Sequence, residues 1–218
     1  MIFINDEILF IHIPKTGGKS IYAHLLDNYN QDTNKINVLK DNIGHWNYQH
    51  ASIKDVMKYD LIDINNVLKF VVVRNPWDWH VSWYHWMRLG SQKNHYYPEI
   101  FNLSFSEYIF ELYDFYLKMG NNDLSWKNSN HCNLDQTFWI RDENDKFVVD
   151  NILRFENLGN DWRVFSEKNN FKVKDISYKM NDYRRKHNND RHFQYNDETK
   201  EIIGIINKPT IELFDYIF

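Results

Sequence analysis

Apolar and polar positions predict strands and helices in turn. Ile8, Leu9, Phe10, Ile11 and Ile13 make a run long enough for a buried strand. Pro14 ends it, because proline has no N–H for the ladder. Gly17 and Gly18 come next, and a helix is predicted over 18–29, with Ile21, His24, Leu25 and Tyr29 on its buried stripe. The segment Leu68 to Tyr84, LKFVVVRNPWDWHVSWY, repeats the pattern: a strand at 68–73, Arg74 at its end, and a helix over 76–89. Asn75 suits the N-cap and Pro76 the first helical position.

The rest of the chain is read more coarsely. The polar stretch 30–47 predicts loop, and a short helix is expected near 52–59, with Ser52 as N-cap and Asp55 three residues on. Phe105, Ile109, Leu112, Phe115 and Tyr116 form a helical stripe over 104–118. Gly120 to Asn133 is Asn-rich and predicts loop. A short helix is expected from Leu134 to Ile140, extended segments at 147–150 and 152–155, and helices near 158–169, 197–207 and 208–215. Strands alternating with helices predict an α/β fold of P-loop-like, three-layer type, with a central parallel sheet flanked by helices.

Chemistry gathers at the two strand ends. In ILFIHIPKTGGKS the glycine pair permits close backbone approach, the helix start offers free N–H groups, and Lys15 adds a mobile charge. This is an anion site, and two such units in one small chain point to a ligand with two phosphate-like ends. Arg74 can grip a phosphate with its fork, and Ser82, eight residues on and two helical turns into its helix, can donate a hydroxyl. The nucleoside-triphosphate loop GxxxxGK[ST] matches in its tail, Gly18, Lys19 and Ser20. Its first glycine falls on Ile13, a strand residue, so an NTP-dependent kinase is the weaker alternative.

The motifs PKTGGKS and VRNPWDWHVSWY together resemble the sulfotransferases that use 3′-phosphoadenosine 5′-phosphosulfate. The carbohydrate branch, of heparan 2-O-sulfotransferase type, is the most similar. LDQTFWI (134–140), ILRFENL (152–158) and IELFDYIF (211–218) extend the resemblance over nearly the whole chain, as a single domain, 1–218. The resemblance implies that Lys15, Thr16, Gly17, Gly18, Lys19 and Ser20 wrap the 5′-phosphosulfate, with Lys15 on the bridging oxygen. It implies that Arg74 and Ser82 hold the 3′-phosphate. Two positions depart from the family pattern: Lys19 stands where threonine is usual, and Trp79 where arginine is usual.

The acceptor hydroxyl needs a general base. His45 and His50 both lie between the two loops. The family often has a histidine just before a short helix, which favours His50 in QHASIKDV and leaves His45 as the alternative. The expected reaction is in-line transfer of the sulfuryl group to a hydroxyl acceptor, a glycan by the resemblance, with no metal in the scheme. An inert nucleotide-binding module on the same fold is a third reading.

Composition narrows the picture little further. The chain has 218 residues, 43% hydrophobic and 17% aromatic, enough for one α/β core. Its net charge of −4 disfavours nucleic acid as a partner. The single cysteine, Cys132, forms no intrachain disulfide, and His131 beside it lacks metal-ligand spacing. No signal peptide or membrane-length apolar run is found, so a cytoplasmic enzyme is expected. The aromatic cluster Trp77, Trp79, Trp83, Tyr84 and Trp86 reads as packing first and acceptor lining second. The basic run Tyr183 to His187 is either a solvated face or a cofactor-covering segment, through Arg184 or Arg185.

Overall fold

The computed structural model describes residues 2–4, 8–28, 36–38, 50–58, 63–90, 98–119, 135–170, 176 and 194–218. The chain forms two compact units. Met1–Arg74 and Trp139–Lys179 make the first; Asn75–Phe138 and Met180–Phe218 make the second.

The first unit is an α/β assembly. Strands β1 (Ile2–Ile4), β2 (Ile8–Ile11), β3 (Ile36–Val38), β4 (Leu68–Val73) and β5 (Asn151–Arg154) form one sheet in the order β3-β1-β2-β4-β5. β2, β4 and β5 run parallel, with Phe10 opposite Phe70 and Phe70 opposite Asn151. These are the three strands that the apolar runs predict. β1 and β3 lie antiparallel beyond β2 and were not predicted. Each is three residues long, too short for a periodic signal, and β3 falls inside the stretch read as loop.

Helices α1 (Gly18–Asn28) and α5 (Leu158–Lys168) cover one face of this sheet. Ile21 and Leu25 of α1 meet Phe10, Phe70, Val72 and Leu153 of the strands and Trp162 and Phe165 of α5 in one core. The Trp162 indole N–H donates to His24 Nε2 over 3.0 Å, so the buried imidazole of α1 has a partner. The other strand face, Leu9, Ile11, Val71 and Val73, is also fully buried, as a parallel sheet requires. Helix α2 (Ile53–Lys58) starts in a reciprocal cap: the Ser52 backbone N–H donates to Asp55 Oδ2 at 2.9 Å, and the Asp55 backbone N–H to Ser52 Oγ at 3.3 Å. Lys69 lies buried in β4. Its ammonium donates to the carbonyls of Ile64 and Val67 and pairs with Asp150 at 3.1 Å, which ties the entry of β5 to β4.

The second unit is helical. It contains α3 (Pro76–Gly90), α4 (Phe105–Met119), α6 (Asp197–Ile206) and α7 (Lys208–Phe214). α3 begins as the sequence predicts, with the Trp77 N–H donating to Asn75 Oδ1 at 3.1 Å. The expected helix at 134–140 is a 3-10 turn, Gln136–Trp139. Trp79, Tyr84, Tyr108, Ile109, Leu112, Ile203 and Phe214 are buried. Asp135 is buried as well, and its carboxylate accepts from the Thr210 N–H at 3.1 Å in the first turn of α7.

His80 of α3 is fully buried, and its Nε2 lies 2.9 Å from Asn207 Nδ2. Burial lowers its pKa to about 3, against a partial opposing effect of the Asn207 hydrogen bond. The unfolded chain therefore binds a proton on this ring between about pH 3 and 6.5 that the folded chain refuses. Stability is complete above that window and falls as pH drops through it. We expect His80 alone to remove about 3 kcal/mol between pH 7 and pH 4.5. Denaturant titrations at both pH values test this. His80→Gln, which keeps a polar partner for Asn207 but does not titrate, should shrink the difference. An unchanged difference would assign the acid sensitivity to other groups.

Candidate functional site

The turn between β2 and α1 has an unusual backbone. Lys15 has φ 66° and Gly17 φ 92°, both in the left-handed region. Glycine reaches this region freely; lysine does so at a cost of about 1 kcal/mol or more. Thr16 is fully buried and its hydroxyl donates to the Ile13 carbonyl at 2.8 Å, pinning the turn to the strand end. The Gly17 carbonyl accepts from the Ser20 N–H at 2.9 Å, which starts α1. The N–H groups of the first helical turn, at Gly18 and Lys19, thus fall at the helix start, where an anion is favoured. No acidic residue occupies that first turn. Lys15 is half-buried and Lys19 exposed.

His50 stands beside this turn. Its Nδ1 lies 2.9 Å from the carbonyl oxygen of His12, the residue that follows β2. A carbonyl only accepts, so Nδ1 carries the proton and Nε2 keeps the lone pair. The His50 carbonyl in turn accepts from the Trp139 indole N–H at 2.9 Å. Both the ring and the backbone of His50 are therefore held. Burial lowers the His50 pKa to about 4, against the hydrogen bond to His12, and the Lys15 and Lys19 ammonium groups push it the same way as burial. The imidazole is neutral at pH 7, as a proton acceptor must be.

Arg74, at the end of β4, is fully buried. One guanidinium nitrogen donates to the Lys15 carbonyl at 3.2 Å, and the guanidinium carbon sits 4.3 Å from the centroid of the Phe155 ring. Phe155 also closes over the turn: a Cβ at residue 17 would lie 2.9 Å from its Cδ2. Position 17 thus needs glycine twice, for its dihedral and for the space.

Lys15 through Ser20, Arg74 and His50 all belong to the first unit, and Ser82 lies on α3 of the second. His45, the alternative base, lies outside the described residues, as do Arg184, Arg185, His131 and Cys132. Trp79 is fully buried against the rings of His80 and Trp83 at 5.0 and 6.2 Å. The position serves packing in this chain. Three residues given no role by sequence reasoning stand in the arrangement: His12, Trp139 and Phe155. Only His12 had a legible signal, since it lies two residues from Phe10 and so on the same side of an extended strand. Among the described residues there is no group of three or more histidine, cysteine or acidic side chains placed to hold a metal ion. No helix among them is long and apolar enough to cross a membrane.

A strained, cationic turn at a helix start beside a neutral, oriented imidazole can bind a phosphate-like group and accept a proton next to it. Comparison with curated proteins and with solved structures gives no match. The sequence model of the sulfotransferase family matches residues 1–217, a span that takes in the turn, His50 and Arg74. The chain is an α/β enzyme of the sulfotransferase family, whose members transfer sulfuryl groups.

Proposed function

We propose that this protein transfers the sulfuryl group of 3′-phosphoadenosine 5′-phosphosulfate to a hydroxyl of a carbohydrate, acting as one catalytic domain over residues 1–218. The donor supplies an activated sulfur whose bond to the bridging phosphate oxygen breaks as the acceptor oxygen attacks in line. The observation that carries this reading is the neutral, tautomer-fixed His50 beside the left-handed turn at Lys15. Lys15 and the N–H groups at the start of α1 meet the charge that develops on the leaving phosphate. His50 Nε2 takes the acceptor proton. Arg74 and Ser82 hold the 3′-phosphate, and Thr16 to Ser20 cradle the 5′ end. The scheme draws on no metal, and the carbohydrate acceptor rests on the resemblance of the two loops.

Thermal-shift profiling tests the donor. Adenosine 3′,5′-bisphosphate without magnesium should stabilise the protein, by about 3 kcal/mol at a concentration a hundredfold above Kd. Stabilisation by ATP with magnesium, and none by the bisphosphate, would reassign the site to a triphosphate. A screen of glycan and small hydroxyl acceptors with labelled sulfate donor tests the second substrate. Lys15→Met should lower kcat more than it raises the donor KM, because the charge acts on the transition state. A raised KM with unchanged kcat would make Lys15 a binding residue only.

A further inference from the structure

We propose that His12 is a positioning residue, a flat floor whose ring sets the donor turn and whose carbonyl sets the base. Three observations converge on it. A Cβ on residue 18 would lie 2.0 Å from both Cδ2 and Nε2 of the His12 ring. Real Cβ contacts are never so short, so the first residue of α1 has settled onto the imidazole as closely as glycine permits. The ring also lies nearly parallel to Phe10 at 5.6 Å and 19°, and Phe10 stacks on Phe70 at 4.8 Å and 20°. The floor is thus the end of a three-ring column rooted in β2 and β4. Finally, the His12 carbonyl orients His50, and the two imidazoles lie 4.4 Å apart.

The ring is suited to this work because it stays neutral. His12 is buried, which holds its pKa well below the usual histidine range, and the nearby His50, Lys19 and Lys15 act in the same direction. A charged ring under the helix start would repel the Lys15 and Lys19 ammonium groups and loosen the turn. A neutral, stacked ring adds shape without charge. Gly18 is then required by a neighbour rather than by its own dihedral, which is not in the left-handed region. The consequence for turnover rests on the reading that the turn binds the donor and His50 is the base; the contact between residues 12 and 18 does not.

A double-mutant cycle tests the proposal. Gly18→Ala should weaken binding of adenosine 3′,5′-bisphosphate by about tenfold or more, because the new methyl group lifts the turn off the ring. In the His12→Ala background the same substitution should cost little, since the ring it strikes is gone. Losses that simply multiply would overturn the proposal. His12→Ala alone should weaken bisphosphate binding by a larger factor than it lowers kcat, since the ring under the turn is lost while the carbonyl that orients His50 remains; a loss confined to kcat would overturn this division of roles. Melting temperature is read on all four proteins. If Gly18→Ala does not fold, recovery of folded protein by His12→Ala supports the contact, and continued misfolding overturns it. If the unmodified protein does not bind the bisphosphate, the proposed donor fails, and the melting-temperature cycle still judges the floor.

Discussion

His50→Ala is expected to lower kcat by about 10²–10⁴, the usual contribution of a positioned general base. Bisphosphate affinity should stay nearly unchanged, since the imidazole serves the acceptor. The pH profile carries a sharper signature. A base works in its deprotonated form, and burial has lowered the His50 pKa to about 4, so the acid limb of kcat/KM should fall near pH 4 and not near 6.5. Bound donor brings negative charge beside the ring and favours the imidazolium, so the acid limb of kcat should lie higher than that of kcat/KM. Turnover that survives in His50→Ala and is lost in His45→Ala would move the base to His45. Two limbs at the same pH would separate His50 from the donor.

The second large effect is at Arg74. Removing a buried cation that holds a phosphate costs about 2–5 kcal/mol, so Arg74→Ala should weaken bisphosphate binding by roughly 30-fold to several thousandfold. The structure gives Arg74 a further task, because it also holds the Lys15 carbonyl and stacks on Phe155. Calorimetry with two nucleotides separates the tasks. If Arg74 meets the 3′-phosphate, the mutant loses the preference for adenosine 3′,5′-bisphosphate over adenosine 5′-phosphate. If it serves only the turn, both nucleotides weaken alike. Arg74→Lys should rescue neither, since lysine has no planar fork to stack.

Local signals account for what was legible in the sequence. β2 is an unbroken apolar run and β4 one broken only at Lys69, and both are found where the pattern predicts them. The starts of α2 and α3 are written in Ser52 with Asp55 and in Asn75 with Pro76, and both caps form. The glycines of the turn announce an anion site by type and spacing. What stayed hidden depends on distance along the chain. Nothing near Gly17 tells that Phe155, 138 residues on, will close over it. His80 and Asn207 meet across 127 positions, so a buried polar pair looks in the sequence like two unrelated residues. β1 and β3 escape for the opposite reason: their pairing supplies the order that three residues cannot show.

The sheet also dictates when it can be completed. Lys69 and Asp150, at the adjoining ends of β4 and β5, are 81 residues apart in the chain. During synthesis β4 leaves the ribosome long before β5, and pairing across such a separation is slow. Until then one edge of a strand carrying Val71, Val72 and Val73 has its backbone groups open, a template for another chain. Expression of fragments that stop before residue 151 should therefore give aggregates, and slower translation ahead of that point should lengthen the exposure. The buried charge of Lys69, held at the mouth of this edge, is the one feature of β4 that resists a wrong partner.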